Sequence, residues 1–543
     1  MNKKGYLMYF LIAVAIGMVI NCCSPKQKTE PPKREVEKIH PPLESKSVPM
    51  DAQVVWGSPP ELVSDFNTEV YDYLPENEFL STKQNPLSTF SIDVDTASYS
   101  NIRRFIKDRK LPPVDSVRIE EMINYFTYNY PEPQDDFPFS VKTELASCPW
   151  KPNHKLLLIG LKGKEIKDIE RSPSNLVFLL DVSGSMDHPD KLPLLKRAMK
   201  LLINKLSEKD HVAISVYAGS SGVVLPSTTC SEKNKGLILD SLEKLRAGGS
   251  THGSSGINLA YDVARENFIK DGINRVILAT DGDFNVGITN QGELVRLIEE
   301  KAKDGIFLTV LGFGSGNLKD STMEKLADKG NGNYGYIDNL SEARKMLVEE
   351  MGSTLVTIAK DVKIQIEFNP SEITAYRLVG YENRMLKAED FHDDKKDAGE
   401  IGAGHTITAL YELVPIGEPI DLPVVDPLKY QKKGKSTLFK NELLTVKLRY
   451  KLPDADDSEL MTLTVKDTNK SYERASDDFR FAASVAEFGM LLRNSKFKGD
   501  TSYESIIDLA LSAKGDDISG FRAEFINIVR DTKDLSMDTI DLD

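Results

Sequence analysis

The segment between residues 174 and 351 constrains the fold more than any other part of this 543-residue chain, because apolar strands and amphipathic helices alternate along it. The predicted strands cover 176–180, 212–217, 275–279 and 306–312, and the predicted helices cover 191–206, 232–245, 254–268 and 291–303. Strands that are apolar along their whole length are typical of parallel sheets buried on both faces. The pattern therefore predicts an α/β unit, a doubly wound parallel sheet with helices on both sides.

Short oxygen-bearing side chains follow the strands of this unit. Asp181, Ser183 and Ser185 form an Asp-x-Ser-x-Ser element directly after the first strand. Thr251 lies in a loop before a helix, and Asp281 follows the third strand. Ligands of doubly wound sheets bind outside the carboxyl ends of the strands, which is where these side chains are expected. In the alternative interpretation the first three residues only cap the next helix, which leaves Thr251 and Asp281 unexplained.

These five residues, in this order, resemble the metal-ion-dependent adhesion site of the von Willebrand factor A and integrin inserted domains. Mg²⁺ prefers about six oxygen ligands and gives up water reluctantly. Ser183 and Ser185 are two positions apart, so both hydroxyls can face one ion, and Thr251 adds a third neutral oxygen. The resemblance implies that Asp181 and Asp281 act mainly through bound water or as hydrogen-bond anchors for the hydroxyls. The expected cofactor is Mg²⁺, or Mn²⁺ in its place.

Neutral ligands of this kind leave the ion much of its positive charge. Its open coordination position then favours an anionic oxygen, typically a Glu or Asp carboxylate of a protein or surface ligand. A catalytic Mg²⁺ site would instead cluster carboxylates and place a base nearby. We therefore expect a binding protein and no enzyme.

The resemblance extends beyond the α/β unit. Residues 90–133 include Phe-Ser-Ile-Asp-Val-Asp-Thr-Ala-Ser-Tyr and Arg-Ile-Glu-Glu-Met, and they resemble the N-terminal module of a bacterial lipoprotein family with von Willebrand factor A domains. Residues 375–384 and 397–405 resemble the C-terminal domain of the same family. Nearly the whole mature chain is covered, and the resemblance implies an architecture rather than a cellular role.

The amino-terminal residues have the composition of a lipoprotein signal peptide. Lys3 and Lys4 precede an apolar run over residues 6–20, which is shorter than the roughly 20 residues that a membrane-spanning helix needs. Cys22 and Cys23 follow this run, and Cys22 is the expected lipidation site, with Cys23 as the alternative. The pattern predicts a protein held by lipid on a membrane of the bacterial cell envelope, outside the cytoplasm.

Composition and periodicity divide the chain into segments. The predicted segments are a signal peptide (1–22), a flexible tether (23–87), a small mixed domain (88–165), the von Willebrand factor A domain (172–351), a β-rich domain (352–470) and a helical unit (471–543). The tether is assigned because Pro, Lys, Glu, Ser and Gln dominate its first part, a composition that cannot form a core. Alternation of period two assigns the β-rich domain to antiparallel strands.

Charge and missing motifs exclude several classes of partner. The net charge of −14 argues against nucleic acid, because phosphate backbones are bound by clustered Lys and Arg. The chain has no Gly-x-x-x-x-Gly-Lys-[Ser/Thr] loop, so no nucleotide is expected. It also lacks the His-Glu-x-x-His helix of zinc peptidases and the Gly-x-Ser-x-Gly elbow of esterases.

Two alternative functions stay open at this point. One is a Mg²⁺-dependent hydrolase of the envelope, for which Asp93-x-Asp95 invites comparison with the nucleophile motif of haloacid-dehalogenase-like phosphatases, although Thr96 stands one position too early. We expect instead that this polar strand end caps the following helix. The other is an architectural lipoprotein in which Mg²⁺ only stabilises the α/β domain.

Overall fold

The computed structural model describes residues 68–167, 170–218, 220–249, 253–282, 291–422, 439 and 441–540. Within these residues the strands are β1 (Leu80–Ser81), β2 (Leu87–Ser91), β3 (Phe139–Cys148), β4 (Lys151–Gly163), β5 (Ser174–Asp181), β6 (His211–Tyr217), β7 (Ser221–Thr229), β8 (Ile273–Thr280), β9 (Phe307–Phe313), β10 (Tyr334–Ile337), β11 (Thr357–Phe368), β12 (Ile373–Val379), β13 (Met385–Leu386), β14 (Gly399–Gly402), β15 (Thr406–Pro415), β16 (Glu442–Lys451) and β17 (Glu459–Lys466). The α-helices are α1 (Ala97–Lys107), α2 (Ile119–Asn124), α3 (Leu192–Lys205), α4 (Glu232–Glu243), α5 (Gly253–Glu266), α6 (Gln291–Lys303), α7 (Asp320–Lys329), α8 (Leu340–Arg344), α9 (Met351–Leu355), α10 (Asp477–Leu492), α11 (Tyr503–Ser512) and α12 (Phe521–Ile540).

The α/β domain contains a six-stranded sheet with the order β10-β9-β8-β5-β6-β7. Its neighbouring strands are parallel except for β6 and β7, which are antiparallel. Along β5, Leu176, Phe178 and Leu180 pack with α3 on one face of the sheet. Val177 and Leu179 pack with α5 on the other face. The sheet is covered on both sides, and the predicted doubly wound fold is confirmed.

The two edge strands of this sheet, β7 and β10, are absent from the predicted pattern. β7 carries the half-exposed Val223 and Val224 and contains Pro226, which has no N–H to donate. Proline is tolerated in an edge strand because one side of that strand needs no sheet hydrogen bonds. Periodicity identifies the buried central strands and overlooks such an edge.

The segments on either side of the α/β domain share two antiparallel sheets. One sheet has the order β1-β12-β15-β4-β3, and the other has the order β13-β2-β11-β16-β17, with β14 beside β11. Strands from the predicted mixed domain (88–165) and from the predicted β-rich domain (352–470) therefore lie side by side in one body. Alternation shows which face of a strand is buried, but it does not identify the neighbouring strand. The sequence pattern therefore predicts two separate domains where the fold has one pair of shared sheets.

The first of these sheets lies between two apolar layers. Leu157 and Ile159 of β4 pack against the second sheet. Leu156 and Leu158 point the other way, into a core shared with α2, α10, α11 and α12. Helix α10 begins after Ser476, whose hydroxyl accepts a backbone N–H of the first turn. The helices predicted for residues 471–543 are present, and they cover one face of the sheet pair.

Residues 68–81, which we name the N-terminal strap, lie on the folded body. The N–H of Thr68 donates to the carbonyl of Gly316 at 2.7 Å, and the N–H of Val70 donates to the carbonyl of Leu318 at 3.0 Å. Strand β1 pairs with β12. The tether prediction is therefore wrong for residues 68–87, because backbone hydrogen bonds hold this segment and composition does not report them. The remainder of the predicted tether and the signal peptide lie outside the described residues.

No helix in the described part of the chain combines the length and the apolar character needed to cross a membrane.

Candidate metal site

Asp181 is the last residue of β5, and its side chain is fully buried. Its Oδ1 accepts the N–H of Ser183 at 2.8 Å, and its Oδ2 accepts the hydroxyl of Thr280, at the end of β8, at 3.1 Å. The carboxylate thus fixes the turn after β5 and joins the ends of two neighbouring strands. Burial raises the pKa of Asp181 to about 6, against hydrogen bonds from Ser183 and Thr280 that lower it. The cost of burying this carboxylate is therefore only partly offset by its hydrogen bonds.

Ser183 and Ser185 lie on the turn after β5, which contains a short 3₁₀ segment, Gly184–Met186. Their hydroxyl oxygens are 3.0 Å apart. Oxygens on adjacent corners of a Mg²⁺ octahedron are separated by about 3.0 Å, because each metal–oxygen bond is about 2.1 Å long. The spacing of the two hydroxyls therefore fits a pair of Mg²⁺ ligands.

A second loop lies against this turn. The N–H of Gly184 donates to the carbonyl of Gly249 at 3.1 Å, and the N–H of Gly248 donates to the carbonyl of Val182 at 2.8 Å. These bonds bring the glycines at 248–249 beside the two serines. Thr251, the predicted third hydroxyl ligand, lies outside the described residues.

Asp281 follows β8, and its side chain is fully buried. Its Oδ2 accepts a proton of the Lys191 ammonium at 3.0 Å, and the same ammonium donates to Oδ1 of Asn317 at 3.0 Å. Burial acts to raise the pKa of Asp281, but the charge of Lys191 and hydrogen bonds from Asn317 and Ser185 outweigh it and hold this pKa below its usual value. Asp281 is therefore an anion held between a serine of the turn and a buried lysine.

The structure brings four of the five predicted residues together at the carboxyl ends of β5 and β8. These are Asp181, Ser183, Ser185 and Asp281. The helix-capping alternative does not hold, because α3 begins at Leu192, has Lys191 as its N-cap and is capped by no side chain. The oxygen donors, their burial and their spacing fit a hard divalent ion such as Mg²⁺.

Three further residues of the site were missed by sequence reasoning. Thr280 stands beside Asp281 in a Thr-Asp-Gly element, so its position could have been inferred. Lys191 and Asn317 come from separate loops, and no motif marks them. Gly282 allows the Asn317 loop to approach, since it has a φ of +97° and a Cβ there would lie 2.6 Å from the backbone nitrogen of Lys319.

A second buried polar cluster lies where the N-terminal part, the α/β domain and the C-terminal part of the chain meet. We name it the junction cluster, and it consists of Asp93, Asp95, Arg118, Glu121, Asp320, Glu324, Asp328 and Arg384.

Asp93 and Asp95 contribute to this cluster from the segment that follows β2. Oδ1 of Asp93 accepts the N–H of Asp95 at 3.0 Å, and its Oδ2 lies 3.2 Å from Nε of Arg384. Asp95 lies 3.4 Å from the same guanidinium. Helix α1 begins at Ala97, with Thr96 as its N-cap and no side-chain cap. The expectation that this strand end caps the helix is wrong, because both carboxylates face an arginine.

Arg118 is the second arginine of the junction cluster. It precedes α2 and pairs with Glu121 of that helix, with Oδ2 of Asp320 at 2.6 Å and with Oε2 of Glu324 at 3.7 Å. Glu324 also accepts the side-chain amide of Asn383 at 2.6 Å. Asp320 of α7 thus meets the Arg-Ile-Glu-Glu-Met motif, and Glu324 of α7 meets both this motif and the Tyr-Glu-Asn-Arg sequence at residues 381–384. These motifs join the parts of the chain through buried ion pairs.

Comparison with known proteins divides the chain into an N-terminal, a central and a C-terminal part. The von Willebrand factor type A domain model matches residues 175–349, a von Willebrand factor model matches residues 65–158, and the model of the C-terminal part of "Uncharacterized protein YfbK" matches residues 353–535. The fold and the site therefore define a von Willebrand factor A domain protein with flanking modules. YfbK of Escherichia coli strain K12 is 43% identical over 477 residues, which cover 86% of this chain and 81% of that protein. The chain belongs to the YfbK family.

Two further similarities are partial. Protein sll0103 of Synechocystis sp. is 28% identical over 191 residues, which cover 35% of this chain and 44% of that protein. The solved structure of a von Willebrand factor type A protein from Catenulispora acidiphila covers 73% of this chain and 91% of its own, with 17% identity and a TM-score of 0.40.

Proposed function

We propose that this protein is an envelope lipoprotein that binds a protein or surface ligand through a Mg²⁺ ion held by Asp181, Ser183, Ser185, Thr251 and Asp281. The ion would accept a Glu or Asp carboxylate of the ligand in its open coordination position. The observation that carries the proposal is the pair of serine hydroxyls, 3.0 Å apart, beside two fully buried carboxylates. Domains of the von Willebrand factor A type commonly mediate ligand binding.

The environment of the two carboxylates supports a carboxylate-seeking ion. Both oxygens of Asp181 already accept hydrogen bonds, and Asp281 is already paired with Lys191. Carboxylates engaged in this way orient the hydroxyls and the metal-bound water more readily than they bind the ion directly. The ion then keeps most of its charge for an incoming anion. Mn²⁺ prefers similar oxygen donors and can take the place of Mg²⁺.

The same environment favours binding over hydrolysis. A general base must lie within hydrogen-bond reach of the water that it activates. The carboxylates beside the proposed ion are already engaged: Asp181 accepts hydrogen bonds from Ser183 and Thr280, and Asp281 accepts one from the Lys191 ammonium at 3.0 Å. We therefore propose no enzymatic activity for this site, and no nucleotide or nucleic acid as its partner.

The proposed location follows from the amino-terminal sequence. A lipid on Cys22, or on Cys23 in the alternative, would hold the protein on a membrane of the bacterial envelope, outside the cytoplasm. The support is the order of two lysines, an apolar run over residues 6–20 and a cysteine pair. These residues lie outside the described part of the chain.

Capture from envelope extracts tests the proposed function. The immobilised full chain is incubated with extract in Mg²⁺ or in EDTA, and Asp181→Ala is compared with Asp190→Ala, which removes a more exposed aspartate of the same turn region. We expect a partner to be retained in Mg²⁺ only, to be lost with Asp181→Ala and to be kept with Asp190→Ala. Capture that is unchanged by EDTA and by Asp181→Ala overturns the proposal. Mg²⁺ uptake that raises the melting temperature without any capture supports the architectural alternative.

A further inference from the structure

Lys191 places a positive charge inside the candidate metal site. It immediately precedes α3 and is only 7% exposed. Its ammonium donates to Oδ2 of Asp281 and to Oδ1 of Asn317, each at 3.0 Å. Lysine is almost never buried to this extent unless its charge is paired. The lysine is therefore a fixed cation that shares Asp281 with any metal bound at the site.

The loop after β9 is shaped around this lysine. Gly314 has a φ of +74°, and a Cβ at that position would overlap the aliphatic stem of Lys191. Asn317, three residues further on, accepts a hydrogen bond from the ammonium. One loop thus makes room for the lysine stem and holds its charged end.

We propose that Lys191 sets the net charge of the metal site and thereby gives the bound ion its preference for a carboxylate ligand; this inference rests on the proposed function. Asp181 and Asp281 together contribute a charge of −2, a bound Mg²⁺ contributes +2 and Lys191 contributes +1. The site loaded with metal then carries +1, and one carboxylate neutralises it. Without the lysine the loaded site would be neutral before any ligand arrived.

This charge acts in opposite directions on the two binding steps. A neighbouring ammonium repels Mg²⁺ and attracts the carboxylate of a ligand. Because coupled binding equilibria are reciprocal, a carboxylate must tighten Mg²⁺ binding by the same factor by which Mg²⁺ tightens carboxylate binding. The coupling itself comes from the attraction between the ion and the carboxylate. Lys191 weakens the metal step and strengthens the carboxylate step, so a given concentration of carboxylate has a larger effect on Mg²⁺ binding when the lysine is present.

Isothermal titration calorimetry of the full chain with Mg²⁺, which measures the affinity for the ion, tests the role of this charge. Lys191→Gln removes the charge and keeps a hydrogen-bond donor, whereas Lys191→Arg keeps the charge. Lys196→Gln is the matched control, because Lys196 lies in the first turns of α3, the helix that Lys191 precedes, and donates to the carbonyls of Glu243 and Leu245. Each protein is titrated in sodium chloride and in sodium acetate of equal ionic strength, with acetate as the simplest carboxylate.

We expect Lys191→Gln to bind Mg²⁺ at least about tenfold more tightly than the unaltered chain in chloride. Acetate should tighten Mg²⁺ binding by the unaltered chain, and by much less in Lys191→Gln. Lys191→Arg and Lys196→Gln should behave like the unaltered chain.

If Lys191 only supports the loop, Lys191→Gln should not tighten Mg²⁺ binding. Loss of the lysine would leave Mg²⁺ binding unchanged or weaker, and that result overturns the inference. If Lys191→Gln fails to fold by circular dichroism, the unaltered chain decides, because absence of an acetate effect on its Mg²⁺ affinity also overturns the inference. A complete absence of Mg²⁺ uptake by the unaltered chain overturns the proposed function instead.

Discussion

Arg384, from the C-terminal part of the chain, pairs with Asp93, from the N-terminal part, with Nε 3.2 Å from Oδ2. The same guanidinium lies 2.6 Å from Asp328 and 3.4 Å from Glu324, both on α7 of the α/β domain. One side chain thereby links three separate parts of the chain. Burial raises the pKa of Glu324 to about 7, although Arg118 and Arg384 act to lower it. The carboxylates of the junction cluster therefore need the positive charges of Arg118 and Arg384 to remain ionised while they are buried.

Replacement of Arg384 by Met is expected to lower the free energy of unfolding by about 3–5 kcal/mol, because it leaves buried carboxylates without their partner. Urea unfolding followed by circular dichroism measures this change. Lys447→Met is the control, since it removes a solvent-exposed pair with Glu367 and should change the free energy by no more than about 1 kcal/mol. Equal effects of the two substitutions would contradict the prediction that the buried ion pairs of the junction cluster stabilise the fold.

Glu487 of α10 makes a contribution to the stability of the fold that decreases as the pH rises. Its side chain is 3% exposed and accepts a hydrogen bond from Thr501 at 3.2 Å. Burial raises its pKa from 4.5 to about 7, against that hydrogen bond. Because the folded state binds the proton more tightly than the unfolded state, the stabilisation is complete below pH 4.5 and is lost as the pH passes through about 7.

Glu487→Gln removes this titration. The difference in unfolding free energy between the variant and the unaltered chain should therefore shift in favour of the variant by up to about 3 kcal/mol between pH 4.5 and pH 8. Urea unfolding at several pH values measures the shift. Glu208→Gln, at an exposed position, should leave the pH profile unchanged. Parallel profiles for the unaltered chain and Glu487→Gln would contradict the assignment.

The C-terminal part of the chain is not expected to fold by itself. Strand β15 pairs with β4 from Thr406↔Lys162 to Leu413↔Lys155, so a fragment covering 353–543 loses the partner of a central strand. Its unpaired edge should prevent a cooperative unfolding transition in calorimetry and promote aggregation. The fragment 172–351 contains every strand of its own sheet and should unfold cooperatively. A cooperative transition of 353–543 alone would show that the shared sheets are not needed.

Those features of the fold that depend on local sequence could be predicted, and those that depend on contacts between distant residues could not. The central strands of the α/β domain each contain a run of mostly apolar residues, so local sequence identifies them. The alternation Phe-Ser-Ile-Asp-Val at residues 90–94 predicts a strand there. The observed strand β2 covers Leu87–Ser91, because Asp93 turns away to meet Arg384. Neighbouring strands such as β4 and β15 lie more than 240 positions apart, and no local pattern reports their pairing.

The residues of the candidate site also fall into a group that local sequence predicts and a group that it does not. Asp181 and Asp281 could be assigned because each stands at the end of an apolar strand, and parallel strand ends meet at one edge of the sheet. Lys191 and Asn317 reach the site only through the conformation of their loops, and a lysine in a polar loop is normally exposed. Their role becomes visible only with the distances of 3.0 Å in the folded chain.

The proposed lipid anchor predicts a specific labelling pattern. Cells that express the full chain and are fed labelled palmitate should incorporate the label into the protein, because the modified cysteine carries acyl chains. Cys22→Ser should abolish the labelling, whereas Cys23→Ser should retain it. Loss with Cys23→Ser alone moves the anchor by one position, and labelling that persists in the double variant rules out an anchor at either cysteine.

Mg²⁺ should stabilise the fold through the hydroxyl of Ser183. A ligand that binds only the folded state adds about 2.7 kcal/mol at a concentration of 100 times its Kd, so saturating Mg²⁺ should raise the melting temperature by several degrees. Ser183→Ala removes one neutral oxygen and leaves the charge of the site unchanged. The variant should therefore lose most of the Mg²⁺-dependent shift while melting close to the unaltered chain in EDTA. Ser231→Ala, remote from the site before α4, should keep the full shift. An undiminished shift in Ser183→Ala would place the ion elsewhere, because the hydroxyl 3.0 Å from Ser185 would then have no part in holding it.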